Sequence, residues 1–156
     1  MTSTATPQRP ERSVTITRVI NAPRARVFDA WTDPRKMAQW WGPKHFTNPR
    51  CEIDARPGGT IYILMTAPDG TEYPMRGTFR EVVSPERLVF TSVAEDSEGN
   101  ALLEATTTVT FEDQDRKTKL TVAAHAIGIS PLSPQMLAGM EPGWMQTIDK
   151  LEEMFG

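Results

Sequence analysis

The feature that most constrains this chain is an imbalance: many short strand signals and only one long amphipathic helix to cover them. That helix lies at the end, within residues 133–156. Its apolar residues fall at Leu137, Met140, Trp144, Ile148, Leu151 and Phe155, flanked by Met136, Met145 and Met154. Steps of three and four draw a single stripe down one helical face. Unbranched, polarisable Met beside Trp makes that stripe adaptable, suited to irregular surfaces as well as to a fixed core. Gly139 and Pro142 interrupt it, and Pro142 has no N–H to give the carbonyl of Ala138. The pattern predicts a break or kink between Gly139 and Gly143, with the firm helix running from about Glu141–Pro142.

Upstream, Val14, Ile16, Arg18 and Ile20 alternate with Thr15, Thr17 and Val19 in a first strand. Asn21-Ala22-Pro23 opens a helix with Pro23 in its first turn, and Val27, Phe28 and Trp31 share its inner face. Asp33-Pro34 ends that helix and begins a short second one, with Asp33 as N-cap. Gly42-Pro43 stops it. Strands then follow over residues 51–55, 60–66, 73–83, 88–94, 102–112 and 118–126. Pro57-Gly58-Gly59, Pro68-Asp69-Gly70, Ser84-Pro85-Glu86, Glu98-Gly99-Asn100 and Asp113-Gln114-Asp115 are the turns between them. Such short connections join antiparallel neighbours. The expected class is α+β: a curved antiparallel sheet of about seven strands wrapped around the long C-terminal helix, with two short helices after the first strand.

A chain of 156 residues is read as a single domain over 13–156, preceded by a disordered tail at 1–12. With 38% hydrophobic and 24% charged residues it has ordinary globular composition. The net charge of −3 and the lack of any basic run argue against a nucleic-acid partner. Cys51 is the single cysteine, so no intrachain disulfide forms. No apolar run approaches the ~20 residues of a membrane span, and residues 1–12 have no apolar centre of a secretory signal. The expected location is therefore the cytoplasm.

The run from Ala22 to Pro34, read Ala-Pro-Arg-Ala-Arg-Val-Phe-Asp-Ala-Trp-Thr-Asp-Pro, is followed by Trp40-Trp41-Gly42-Pro43. Then come Arg56-Pro57-Gly58-Gly59, Pro68-Asp69-Gly70, Pro85-Glu86-Arg87-Leu88-Val89-Phe90-Thr91, Thr107-Thr108-Val109-Thr110-Phe111 and Gly143-Trp144. In this order the chain resembles the family related to the C-terminal domain of the activator of the ninety-kilodalton heat-shock chaperone ATPase, within the START-like (SRPBCC) superfamily. The resemblance covers nearly everything after residue 12. It implies a helix-grip fold with a cavity between sheet and C-terminal helix, where many relatives hold apolar or amphipathic molecules. It does not imply one chemistry, since the superfamily includes lipid carriers, cyclases and drug-sequestering proteins. The authentic activators also carry an additional N-terminal domain, and here only the short tail precedes the first strand.

Catalytic signatures are absent from the sequence. Pro57-Gly58-Gly59 lacks the Lys and the following helix of a phosphate loop. His45, His125 and Cys51 stand at unrelated spacings, unlike a zinc set, so neither a metal nor another cofactor is expected. A Cys51–His45 pair would need a continuous strand, which Pro49 opposes, and Cys51 is read as a core residue. His125, and the pair Glu52 and Asp54, are read as solvent-facing. Arg76 and Glu104 are charges inside strands that could each anchor a ligand in an apolar cavity. Trp40 and Trp41, adjacent on a short helix, cannot both face the same interior, and Trp41 is placed at the cavity mouth because the turn that follows it can move.

The reading is a binding protein, more than an enzyme, for a hydrophobic or amphipathic small molecule or lipid. The expected binding residues are Trp41, Tyr62, Met75, Phe79, Phe90, Val109, Met140, Trp144 and Ile148, while Leu151 and Phe155 seal the end as core. The alternatives are a cyclase- or hydrolase-type enzyme using the same cavity, or a protein-interaction module touching a chaperone. A monomer or a homodimer fits either. A void of ~300 Å3 would cost up to about 7 kcal/mol if left empty, a large share of a domain's stability, so a pocket of that size calls for an occupant.

Overall fold

A computed structural model describes residues 10–131 and 133–156. The elements run β1 (Glu11–Ile20), α1 (Arg24–Thr32), α2 (Pro34–Trp40), β2 (Thr47–Ile53), β3 (Thr60–Thr66) and β4 (Glu72–Val83). They continue with β5 (Arg87–Glu95), β6 (Ala101–Gln114), β7 (Lys117–Gly128), α3 (Ser133–Ala138) and α4 (Met140–Glu153). All seven strands join one antiparallel sheet in the order β1-β7-β6-β5-β4-β3-β2. The meander of β2 to β7 thus closes against β1, and the helices cover one face. This is the expected helix-grip arrangement.

Several boundaries differ from expectation. β2 spans Thr47–Ile53 where 51–55 is expected, and it passes Pro49 by an irregular register with β3 between Thr47 and Arg50. β1 begins at Glu11, because Glu11 and Arg12 pair with Ile127 and Ala126 and the Pro10 carbonyl accepts from Gly128 N–H at 2.7 Å. The rest of the expected tail, residues 1–9, lies outside the described residues. The C-terminal helix breaks at Gly139, the near edge of the expected interval, and α4 already begins at Met140. Pro142 is then the third residue of α4, within the first turn, where an N–H has no intrahelical partner to lose. Arg12 reaches the broken end: its Nη1 donates to the carbonyls of Leu137 and Ala138 at 3.3 and 3.4 Å. A guanidinium there satisfies two carbonyls that the helix no longer bonds and opposes its negative end.

The helix-facing side of the sheet is graded in size. Toward one end stand Leu88 and Phe90 on β5, Val109 and Phe111 on β6, and Leu120 and Val122 on β7, each at most 3% exposed. They pack on Val27, Phe28 and Trp31 of α1 and on Ile148 and Leu151 of α4 in one core. Toward the other end the same faces carry Ser92 and Ala94, Ala105 and Thr107, and Ala124 and Ala126. Large residues fill one half of the space beneath the helices. Small ones leave the other half open.

The break in the helix sits over that open half. α3 is seated by a close approach, since a Cβ at Gly128 would lie 2.3 Å from the Ser133 hydroxyl oxygen. Only glycine lets the chain turn there. The other end of α4 is held by Arg18, whose Nη1 meets Asp149 at 2.6 Å and Glu152 at 3.6 Å.

Candidate functional site: a cavity under the helix break

The open half of the sheet and the α3–α4 junction line an open-mouthed cavity of about 330 Å3. Its floor is Ser92, Ala94, Ala105, Thr107 and Ala126, with Leu103 at the margin. Its roof is Met136, Gly139, Met140, Gly143 and Trp144 from the two helices. Met65, Pro74 and Met75 close one side together with the Trp41-Gly42-Pro43 loop, where Gly42 meets Met65. Exposed Gln135 of α3 lines it too, so the mouth opens along that helix.

Both tryptophans of the Trp40-Trp41 pair are buried, at 0% and 7% exposure. They manage this because Trp41 has left the helix: it is the C-cap, with extended backbone at φ −65°, ψ 141°. Trp40 enters the core and donates from Nε1 to the Ala30 carbonyl at 3.0 Å, while Trp41 turns to the cavity. Trp41 and Trp144 meet edge to face at 5.5 Å, and both pack on Trp31 at 6.4 Å. Edge-to-face pairs of this kind hold geometry as well as area.

The loop after Trp41 is pinned to α4. Lys150 Nζ donates to the carbonyls of Trp41, Gly42 and Pro43 at 3.3–3.4 Å, and Gln146 Oε1 accepts from Lys44 N–H at 3.1 Å. Desolvation holds Lys150 below the usual lysine pKa. Asn48 adds a hydrogen bond to the Trp41 carbonyl at 2.8 Å. Gly42 sits at φ +89° against the Met65 sulfur, a conformation that would strain a side chain.

Of the nine residues expected to bind, the structure brings Trp41, Met75, Met140 and Trp144 together around this cavity. Phe79, Phe90, Val109 and Ile148 share its face but stand in the filled half, 0–3% exposed within the packed core. Tyr62 faces the other way. It pairs with Glu52 and Arg76, and its ring lies between the guanidinium groups of Arg50 and Arg76 at 4.9 and 4.7 Å. The lining residues that sequence reasoning missed are mostly small: Ser92, Ala94, Ala105, Thr107, Ala126 and Gly139. A signal for them existed in the fall of side-chain size along alternate positions of β5, β6 and β7.

Arg76 and Glu104 are not cavity anchors. Both lie on the outer sheet face, with Tyr62 and His125, along a depression of about 740 Å3. This depression is larger than the cavity, and its walls mix the charged Arg76, Arg80 and Glu104 with Tyr62, Val93 and Ile127. The Arg76 side chain is 61% exposed and paired with Glu95. His125 hydrogen-bonds Ser13 at 2.6 Å on the same outer face.

The Cys51–His45 pair does not form. His45 lies before β2, at φ +72°, whereas Cys51 packs against the core. Burial, then the nearby Asp33 and Glu52 carboxylates, raise the Cys51 thiol from 9.0 to about 11. A thiol so protonated is a poor nucleophile. Glu52 pairs with Arg50, and Asp54 with Arg56, both at 2.8 Å on the surface. Among the described residues no group of three or more His, Cys, Asp or Glu is placed to hold a metal. No helix there is long and apolar enough to cross a membrane.

The family model described as activator of Hsp90 ATPase homolog 1-like protein matches residues 21–156. The chain belongs to this family. Among solved structures, a protein from Arthrobacter aurescens is 29% identical, with a TM-score of 0.77 over 90% of this chain and 83% of its own. One from Nitrosomonas europaea is 27% identical, with a TM-score of 0.72 over 90% and 92% of the two chains. A Silicibacter pomeroyi protein called AHSA1 is 20% identical at a TM-score of 0.75 over 92% and 96%, a likeness of fold. Among curated proteins, none matches this sequence. Members of this Hsp90-activator-like family share the START-like fold seen here, so the cavity's particular floor and roof must carry the functional argument.

Proposed function

We propose that this protein binds a hydrophobic or amphipathic small molecule in the cavity beneath the α3–α4 break. The observation that carries the reading is the pairing of a small-residue floor with a Met- and Trp-rich roof around about 330 Å3. That volume stands at the low end of the ~300–1,000 Å3 typical of ligand pockets, and such pockets are mainly apolar. Four methionines, Met65, Met75, Met136 and Met140, give the walls a surface that can repack around its guest.

An enzyme reading needs an ionisable group aimed at the substrate. The cavity's described lining includes no Asp, Glu, His, Lys, Arg, Cys or Tyr, which favours binding over acid–base chemistry. A protein-interaction reading wants a contiguous exposed apolar patch of several hundred Å2. The large apolar side chains most exposed among the described residues are Val19, Val83, Ile129 and Met145. They come from four separate segments. The test is a thermal-shift screen with lipids and aromatic compounds. A ligand at a hundred times its Kd adds about 2.7 kcal/mol, or roughly 5–10 °C for a domain of this size. No shift across the panel counts against the reading.

A further inference from the structure

We propose that the cavity selects uncharged ligands, accepting a neutral hydrogen-bonding group and rejecting the carboxylate or ammonium of the same skeleton. The inference rests on the binding reading above and adds the chemical class. It starts from the absence of any ionisable side chain among the described lining residues. An ion entering the cavity would leave water without meeting an opposite charge, and an unpaired buried ion is strongly disfavoured.

Partial charges could replace side chains, because a helix begins and a helix ends at the roof. Each end is partly compensated. At the start of α4 Pro142 has no N–H, and the N–H of Gly143 donates to the Gly139 carbonyl at 3.0 Å. Glu141 adds a carboxylate to the same turn, opposing any bound anion. At the end of α3 the carbonyls of Leu137 and Ala138 accept from Arg12, and the Gln135 carbonyl accepts from Gly139 N–H at 3.2 Å. A ligand cation finds these acceptors taken.

The cations beside the cavity are occupied as well. Arg12 neighbours the floor residue Ala126 across the β1–β7 pair but reaches the α3 carbonyls. Lys150 is held by the three carbonyls of the 41–43 loop. What the cavity does offer is hydroxyl. Thr107 is 2% exposed, lines the floor, and makes no side-chain hydrogen bond among the described residues. Thr147 already donates to the Gly143 carbonyl at 2.8 Å. An alcohol, ketone or amide on an otherwise apolar ligand would satisfy Thr107, and an ion would find only neutral partners, the hydroxyls of Ser92 and Thr107 and the Gln135 amide.

The experiment titrates the full chain at pH 7 with four probes of one skeleton: 2-methylnaphthalene, 2-naphthylmethanol, 2-naphthoate and (2-naphthylmethyl)ammonium. Isothermal titration calorimetry reports binding. The alcohol should bind at least about tenfold more tightly than either ion, a gap of about 1.4 kcal/mol. Thr107→Val should weaken the alcohol severalfold and leave the hydrocarbon unchanged. Ala94→Lys places an ammonium in the wall and should recover binding of 2-naphthoate. If 2-naphthoate or the ammonium binds the unaltered protein within threefold of the alcohol, the charge selection is wrong although the cavity still binds. If none of the four binds up to its solubility, the binding reading itself falls and takes this inference with it.

Discussion

Ala105→Ile is the perturbation that most directly asks whether the small-residue floor leaves real space. Ala105 sits on β6 between Ser92 of β5 and Ala126 of β7, so its inward neighbours on both sides are small. Isoleucine adds three carbons, and each buried carbon contributes about 0.8 kcal/mol, for ~2.4 kcal/mol in all. Fixing the new side chain returns up to about 1 kcal/mol. The net gain of about 1.5 kcal/mol corresponds to a rise in Tm of roughly 3–6 °C. A β-branched residue also suits a strand. Differential scanning fluorimetry reads the stability, and titration with 2-methylnaphthalene reads the remaining space. The variant should melt higher and bind at least tenfold more weakly. A lower Tm would mean that the added carbons have nowhere to go, as in an overpacked core. Undiminished binding alongside a higher Tm would place the guest elsewhere. Either result refutes the reasoning.

The filled and open halves should respond differently to truncation. Phe90→Ala removes a ring 3% exposed and 6.1 Å from Phe79, at a cost of about 3–5 kcal/mol in urea unfolding. Tyr62→Ala loses only outer-face stacking on two guanidiniums, about 2 kcal/mol at most, and should leave the naphthyl titration unchanged. Lys150→Ala frees the 41–43 carbonyls; hydrogen exchange at the Lys44 and Phe46 amides should quicken about tenfold, with the sheet amides unaffected. Cys51 binds its proton more tightly folded than unfolded, so its contribution to stability is fully present below pH 9 and is lost as pH rises through about 11. At pH 8 its native thiolate fraction should be roughly a hundredfold below that of the unfolded chain, which iodoacetamide labelling rates would show.

How far the sequence carried the account depends on which physical signal each residue left. Strand and helix order followed from turns and periodicity, and Asp33 indeed caps α2 by accepting from Arg35 N–H at 2.9 Å. The break at Gly139 was legible because glycine and proline act on backbone geometry directly. Parity was harder. β3 reads Ile61-Tyr62-Ile63-Leu64-Met65, apolar on both faces, so nothing local says that Ile61 and Ile63 point inward and Tyr62 outward. The pairing of Ile63 with Cys51 and Met75 decides it, and that is a tertiary fact. Phe79, Phe90, Val109 and Ile148 lie on the expected face of the sheet and helix, in its filled half. Large apolar residues mark where a core is full, whereas a cavity is marked by their absence. Ala94, Ala105 and Ala126 leave no hydrophobic peak, and only aligning three strands by register reveals them as one floor.

The methionine methyl groups offer the most direct test of the central claim, because they sample both the cavity and its surroundings. Met65, Met75, Met136 and Met140 line the cavity, whereas Met37 lies in the core and Met145 is 44% exposed. A carbon-13 methyl NMR titration with 2-naphthylmethanol should shift the first four signals together and saturably, and leave Met37 and Met145 in place. Saturable shifts at Met145 with the four cavity signals unmoved, or a titration in which no methionine moves, would contradict it.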